Sequence, residues 1–485
     1  MNKIISYMGA AVLAGVAALG LSGAALAESP PVLGINPVTR GTIVECHEDA
    51  LLHWAEIGLS KATVFHVDGM DGLRPDGALR VEELKALKAE GKLTIANLSR
   101  MRSRDGLFLR ANYLRAAYGL GMIGRVYWVL PFPVEPESGF KLGEYLVTIG
   151  FSEADLATLK PVPGGVAGEY GGIPLTIAGP DRLPEIKEPV ILDIDASWFN
   201  EASVNRKVPV LDEMKRFFKL CRDSRIEVAD AVLAYSVDGG YLPARSRWVG
   251  NAALSMLGDP GLLDAQNLPP VMSSLQKASL LASKDKYAEI ASNLEKLKKH
   301  FDTDLASIHL ELAYAYMGIG DFDTAFGAAK RACERDRGFC YGLLDLGTVL
   351  VKGGYPDKGK QFFAEGFLMS PEMTYNEFER GFAFADAGLY DDAERVFARN
   401  EPWPGGYAAD FSLGEVALRK GDKEGALKYF TKGYDRMGKA PWVGRVTEDV
   451  LPAFADAVKL FMEVGDGEKA ARMKSDARLW GPGAQ

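Results

Sequence analysis

The sequence predicts an α/β domain with a parallel sheet followed by an all-α array of helical repeats, and three observations carry that reading. Two short apolar runs, Val64-Phe65-His66-Val67-Asp68 and Ile191-Leu192-Asp193-Ile194-Asp195, end in carboxylates. Buried parallel strands that deliver side chains to the C-terminal edge of a sheet have this form. A glycine followed five residues later by a small residue recurs at Gly320, Gly354, Gly388 and Gly421, spaced 34, 34 and 33 residues apart. At 485 residues the chain is also too long for one core, so two or three domains are expected.

The first element is an export signal. Lys3 precedes an apolar stretch from Met8 to Ala27, which closes with Ala25-Leu26-Ala27 before Glu28. A small-x-small step after such a stretch is the layout of a cleaved secretory signal, expected over residues 1–27. A single-pass anchor is the competing reading, because the stretch is nearly long enough to span a bilayer. No later segment approaches 18 uninterrupted apolar residues, so a periplasmic or secreted chain with no membrane span after signal removal is expected. The formal net charge of −9 argues against nucleic acid, which requires a basic footprint. The local basic cluster Arg100, Arg102, Arg104, Arg110 and Arg115 reads as a solvated loop and helix face.

The α/β domain is expected over residues 28–255, ahead of a linker at 256–275 punctuated by Gly258-Asp259-Pro260 and Pro269-Pro270. Asp193 and Asp195 are two residues apart, so an extended strand points both to one face. Carboxylates gathered at a sheet edge form a hard-oxygen site for a divalent cation, helped by an imidazole. The plainer role for the same residues is to cap the helices that follow. Pro161 to Pro174 is a loop rich in Gly and Pro, which either covers a cleft near the strand ends or is a surface connection.

With their neighbours, these segments resemble the UPF0489 family, which is related to the arginase and histone deacetylase fold. The matching stretches are Val44-Glu45-Cys46-His47-Glu48-Asp49-Ala50-Leu51 with Trp54, then Val64 to Asp68, Arg125 to Pro131, Ile191 to Asp195, and Tyr235 to Tyr241. The resemblance spans roughly residues 40 to 245 and implies an arginase-like three-layer α/β domain. Ureohydrolases hold two manganese ions with a first-motif His, an Asp-x-His-x-Asp segment and a later Asp-x-Asp. His47, Asp68, Asp193 and Asp195 fit four of those six positions, while Met70 and Gly72 stand where the other His and Asp would be. A thioether is a poor partner for manganese and glycine has no side chain. The surviving set therefore suits at most one divalent cation, manganese or zinc. His53 and His66 read as core or edge histidines, either able to replace the missing ligand if the loop has slipped register.

From residue 276 to 485 the spacing is that of tetratricopeptide repeats, in five to six helical hairpins. Each glycine supplies the positive φ that ends one helix, and the small residue lets the next pack closely. Lys286, with Tyr287 and Ala291, marks a degenerate first repeat, and Gly465 to Ala470 a terminal unit beyond Pro441 and Trp442. Such hairpins stack into a solenoid whose concave face takes a protein or peptide. Tyr375-Asn376-Glu377-Phe378-Glu379-Arg380 mixes aromatics with charge as such a surface would. Gly354 to Lys360 only mimics a phosphate-binding loop, for it carries Pro356 and lacks the final Ser or Thr. Cys333 and Cys340 are able to pair in an oxidising compartment, while Cys46 and Cys221 fill core space. The leading expectation is an exported interaction scaffold with a degenerate ureohydrolase-like domain. The competing one is a metal-dependent hydrolase of C–N bonds in amidino or amide substrates.

Overall fold

Eight strands form one sheet in the order β1-β8-β7-β2-β3-β6-β5-β4. The computed structural model describes residues 30–74, 79–98, 107–134, 141–238, 240–301, 303–370, 376–400, 406–437 and 451–480. The expected signal at 1–27, Arg100, Arg102, Arg104, Tyr375, Pro441 and Trp442 lie outside them. The strands are β1 (Thr42–Val44), β2 (Ala62–Val67), β3 (Ile123–Val129), β4 (Lys160–Val162), β5 (Gly165–Tyr170), β6 (Ile173–Ala178), β7 (Val190–Asp195) and β8 (Val228–Ala234). Pairing is parallel across β1, β8, β7, β2, β3 and β6, as expected for the two apolar runs in β2 and β7. The last two strands differ: β4 and β5 pair antiparallel and extend the sheet beyond β6. The Gly- and Pro-rich stretch is thus neither a lid nor a simple loop. Gly164 at the β4–β5 turn takes φ +85°, which lets so short a hairpin form.

Strand alternation explains how both faces are covered. Phe65, Val67, Leu192, Ile194 and Leu233 enter one apolar cluster with Trp198, Phe217 and Phe218. Val64, Val126, Trp128, Ile191 and Val232 enter a second with Leu51, Trp54, Tyr113 and Leu114. A sheet whose alternate residues feed two separate cores is buried on both sides. His66, Asp193 and Asp195 fall on the parity of the second cluster, facing the helices Ala50–Glu56 and Tyr113–Gly119.

Among the described residues six helical hairpins follow, beginning with Pro270–Ala282 and Tyr287–Phe301 and ending with Leu451–Glu463 and Gly467–Trp480. Gly320, Gly354, Gly388, Gly421 and Gly465 take φ of 83, 86, 74, 83 and 85°. The small residues five positions later, Ala325, Gly359, Ala393, Ala426 and Ala470, are all buried. In the first hairpin the positive-φ residue is Asp285 at 55°, one before the expected Lys286. The turn there has kept its backbone geometry without its glycine. Pro356 opens a helix at its first turn, which confirms a repeat turn where a phosphate loop was mimicked.

Residues 256–275 are not a free tether. They comprise the end of the helix Trp248–Gly258, a short 3-10 turn at Pro260–Leu263 and the start of Pro270–Ala282. One apolar cluster runs from β2 and β7 through this region to Leu343, Phe384 and Val416 in the repeats. Cys333 and Cys340 are disulfide-bonded, with α-carbons 4.4 Å apart. Cys46 and Cys221 are buried thiols outside that disulfide.

A buried cluster at the C-terminal edge of the sheet

The C-terminal ends of β1, β8, β7 and β2 lie side by side, and the chain after each supplies one part of a buried charged cluster. His47 comes from the turn after β1, and Asp68 directly follows β2. Asp193 and Asp195 close β7, and Ser236 follows β8. All five are buried. The four residues expected as metal ligands are therefore brought together.

His47 is the hub. Its Nδ1 lies 2.8 Å from Asp68 Oδ2 and 3.3 Å from Asp195 Oδ2, and its Nε2 lies 2.9 Å from Asp193 Oδ1. Carboxylates at both nitrogens call for N–H on both. Burial opposes charge on the ring, but the Asp193 charge and the hydrogen bonds to Asp193, Asp195 and Asp68 hold its pKa well above the ordinary value. Burial alone would likewise raise the Asp193 carboxyl, and the His47 charge with hydrogen bonds from His47 and His66 instead keeps it far below the usual range.

Arg110 changes the meaning of the cluster. It was expected on a solvated face, yet it is buried. Its Nη2 lies 2.9 and 3.0 Å from the two oxygens of Asp68 and 2.8 Å from Asp195 Oδ2. Its Nη1 donates to Ser236 Oγ at 3.1 Å, and Ser236 donates on to Asp195 Oδ2 at 2.5 Å. The guanidinium carbon sits 3.6 Å from the centre of the Tyr241 ring, a cation–π contact that fixes the group from its open side. Among its neighbours in the sequence, Leu107, Phe108, Leu109 and Tyr113 were the signal that this arginine enters a core. Arg115, from the same expected basic face, instead donates to the carbonyls of Leu73 and Tyr170.

His66 is a participant as well. Its Nδ1 lies 2.9 Å from Asp193 Oδ2, and its Nε2 lies 2.7 Å from the Met70 carbonyl. Tyr113 donates to Asp193 Oδ2 at 2.6 Å. His53 is placed elsewhere, against Asp230 and Thr42 near the starts of β8 and β1. Asp195 also serves the plainer role, accepting from Ser197 N at 2.8 Å as the cap of the helix Ala196–Arg206. Glu201, on that helix, lies over Gly69 with its carboxyl at the cluster's rim. Partial burial and the charges of Asp68 and Asp195 push its pKa up to about 7.

Two groups of donors, His47–His66–Asp193 and His47–Asp68–Asp195, place their ligand atoms within 4.8 Å of one another, so these buried His and Asp groups have the spacing to hold a metal ion. A two-metal site of the ureohydrolase kind does not fit. Gly72 takes φ +60°, and a Cβ there would come within 2.9 Å of the Tyr113 ring and 3.1 Å of Leu114. A carboxylate at residue 72 has no room, because Tyr113 fills that space. Met70 contributes only its backbone, with its N–H 3.1 Å from Asp68 Oδ1 and its carbonyl on His66.

No family model matches the chain, and no curated protein matches it. Among solved structures it is similar to PilW, described as a widely conserved type IV pilus biogenesis factor, at 18% identity over 43% of this chain and 93% of that chain. The TM-score is 0.28, and a likeness at that score supports no inference. Among the described residues, no helix is long and apolar enough to cross a membrane.

Proposed function

We propose that the protein is an exported interaction scaffold, in which a tetratricopeptide-type solenoid binds a protein or peptide and an arginase-like α/β domain carries a degenerate ureohydrolase-type site. The observation that carries this reading is the closure of the cluster. His47, Asp193 and Asp195 have no exposed surface, Asp68 has 1%, and each faces another protein group at hydrogen-bond distance. A hydrolytic metal site keeps an open coordination position that substrate reaches, and here each candidate donor is engaged and covered. The six hairpins, by contrast, are of the kind that stack into arrays whose surface takes extended partners, which supports the interaction reading. Within the stretch first singled out for binding, Arg380 is excluded as a contact residue: it is buried, with its guanidinium 4.0 Å from the Phe367 ring centre.

The resemblance to UPF0489 gives the α/β domain its proposed descent and the site its proposed ligands, His47, Asp68, Asp193 and Asp195. A second reading, hydrolysis of C–N bonds with one manganese or zinc ion on those residues, is favoured by Glu201. A carboxyl with a pKa of about 7 at the rim of an acidic cluster suits general acid–base work. Bound metal would supply an activated water, and Glu201 would then exchange its proton at the rim. Assays of the purified full chain with Mn²⁺ or Zn²⁺ on guanidino and acetyl-amine substrates separate the two. The scaffold reading expects no turnover, and turnover lost in Asp193→Asn would replace it with the hydrolase.

A further inference from the structure

We propose that Arg110 is the resident cation of the buried cluster and occupies the seat where a metal ion would bind, so that the wild-type chain holds no divalent ion while a chain without this guanidinium binds one. The inference rests on reading the α/β domain as a degenerate metal site. The geometry that carries it is a shared pair of oxygens. Asp68 Oδ2 and Asp195 Oδ2 face His47 Nδ1 at 2.8 and 3.3 Å on one side and Arg110 Nη2 at 3.0 and 2.8 Å on the other. The residues that bear these atoms, His47, Asp68 and Asp195, form one of the donor groups with metal-site spacing. An ion seated on them would stand against a guanidinium bonded to the same two atoms.

Arg110 cannot yield by losing its proton, because a guanidinium stays charged throughout the pH range of a folded protein. It is not free to swing away either, being held by Ser236 at 3.1 Å and by the Tyr241 ring at 3.6 Å. Its own side chain is 6% exposed, so departure would strand a charge in the core. Three buried carboxylates within one cluster repel one another unless cations lie between them. Arg110 supplies that positive charge from inside the chain and delivers it in a planar fork, donating through Nη2 to Asp68 and through Nη1 to Ser236.

The missing ligands agree with this substitution. Tyr113 fills the space beside Gly72 and donates to Asp193, the acid that Arg110 does not reach. Every carboxylate of the former site then has an internal donor: Asp68 and Asp195 have Arg110 and His47, and Asp193 has His47, His66 and Tyr113.

The test uses the purified full chain. Metal content is measured by elemental analysis after loading with Mn²⁺ or Zn²⁺ and dialysis, and melting is followed with and without each ion. Wild type and Arg110→Lys, which keeps the charge, are expected to retain no ion and to melt unchanged by it. Arg110→Gln is expected to melt lower, to retain about one ion per chain, and to regain melting temperature when Mn²⁺ or Zn²⁺ is added. Asp195→Asn in the Arg110→Gln background is expected to abolish that retention. An ion retained by wild type overturns the proposal, whether or not Asp195→Asn loses it. A folded Arg110→Gln chain that retains no ion overturns it too. Should Arg110→Gln fail to fold, the wild-type metal content still decides. The assay of turnover is independent: wild type free of metal yet active would sink the scaffold reading alone, and wild type loaded yet inactive would sink this inference alone.

Discussion

Arg245, in the turn after β8, grips the buried carboxylate of Glu311 in the repeat array, with Nε 2.9 Å from Oε1 and Nη2 2.7 Å from Oε2. Two residues on, Arg247 donates to Glu45 at 2.6 Å and stacks 3.8 Å from the Tyr235 ring centre. It also reaches toward Asp336 of the array, 3.8 Å away. One turn of the α/β domain therefore packs against the second and third hairpins, and the same stretch supplies Ser236 to the cluster and Tyr241 to Arg110.

Removing Arg245 should destabilise this junction strongly. Burial pushes the Glu311 carboxyl up and Arg245 offsets that cost, so Arg245→Ala leaves a buried charge unpaired. Such a loss is worth about 3 kcal/mol. Chemical denaturation should show a lowered midpoint for Arg245→Ala and a partial recovery in Arg245→Ala with Glu311→Gln. No recovery in the pair would mean that the two side chains do not act on each other.

Repeat hairpins contact chiefly their neighbours, so a fragment of residues 271–485 should be helical by circular dichroism. It should nevertheless melt below the full chain, because the shared apolar cluster and the Arg245 and Arg247 contacts are cut away. Hydrogen exchange should show the loss concentrated in the helices Ala306–Gly318 and Tyr341–Lys352. A melt equal to that of the full chain would show that the sheet domain contributes nothing to the array.

The disulfide Cys333–Cys340 brackets the turn Arg337–Phe339, whose Gly338 packs against the Arg247 guanidinium. Closing a loop this short is worth about 2–3 kcal/mol by the chain-entropy relation. Reduction, or Cys333→Ser with Cys340→Ser, should lower stability by about that amount in denaturant titrations. An unchanged midpoint would mean that the turn is held by its packing alone.

Stability should peak on the acid side of neutrality. Asp193 has a lowered pKa, so its contribution is present above the ordinary carboxylate value of about 4 and is lost as pH falls below it. His47 has a raised pKa, so its contribution is complete below about pH 6.5 and is lost as pH rises from there through the raised value. Glu201, raised to about 7, adds a loss between the ordinary glutamate value and about 7. A maximum near about pH 5 follows. His47→Asn should flatten the decline above about pH 6.5, and an unaltered alkaline slope in that variant would contradict the charged hub.

Much of this was legible in the residues. Apolar runs gave β2 and β7 in parallel, and the spacing of Gly320, Gly354, Gly388 and Gly421 gave four hairpin turns in register. Asp68, Asp193 and Asp195 were found because their motifs lie at strand ends, where a parallel sheet gathers them, and His47 came only from the family resemblance. Arg110 was missed because a charge run predicts a wet surface; its apolar neighbours Leu107, Phe108 and Leu109 pointed inward, and pairing with Asp68 and Asp195 holds the charge there. Tyr113 lies in a segment with no chemical signature of its own, and Ser236, although within the Tyr235 to Tyr241 stretch that carries the resemblance, was not read as part of the site. The antiparallel hairpin β4–β5 was hidden by Gly and Pro, which weaken any strand pattern yet are tolerated at a sheet edge.

The central claim is that the array works and the cluster holds the fold. The most direct measurement is in-cell cross-linking of the full chain, wild type against Asp68→Asn with Arg110→Gln, a pair that removes one negative and one positive charge together from the same contact. The account predicts a specific partner set on wild type and the same set, at the same yield, on the charge-balanced variant. A wild-type chain with no specific partner, or a set lost from a variant whose melting is unchanged, would contradict it and return the function to the buried cluster.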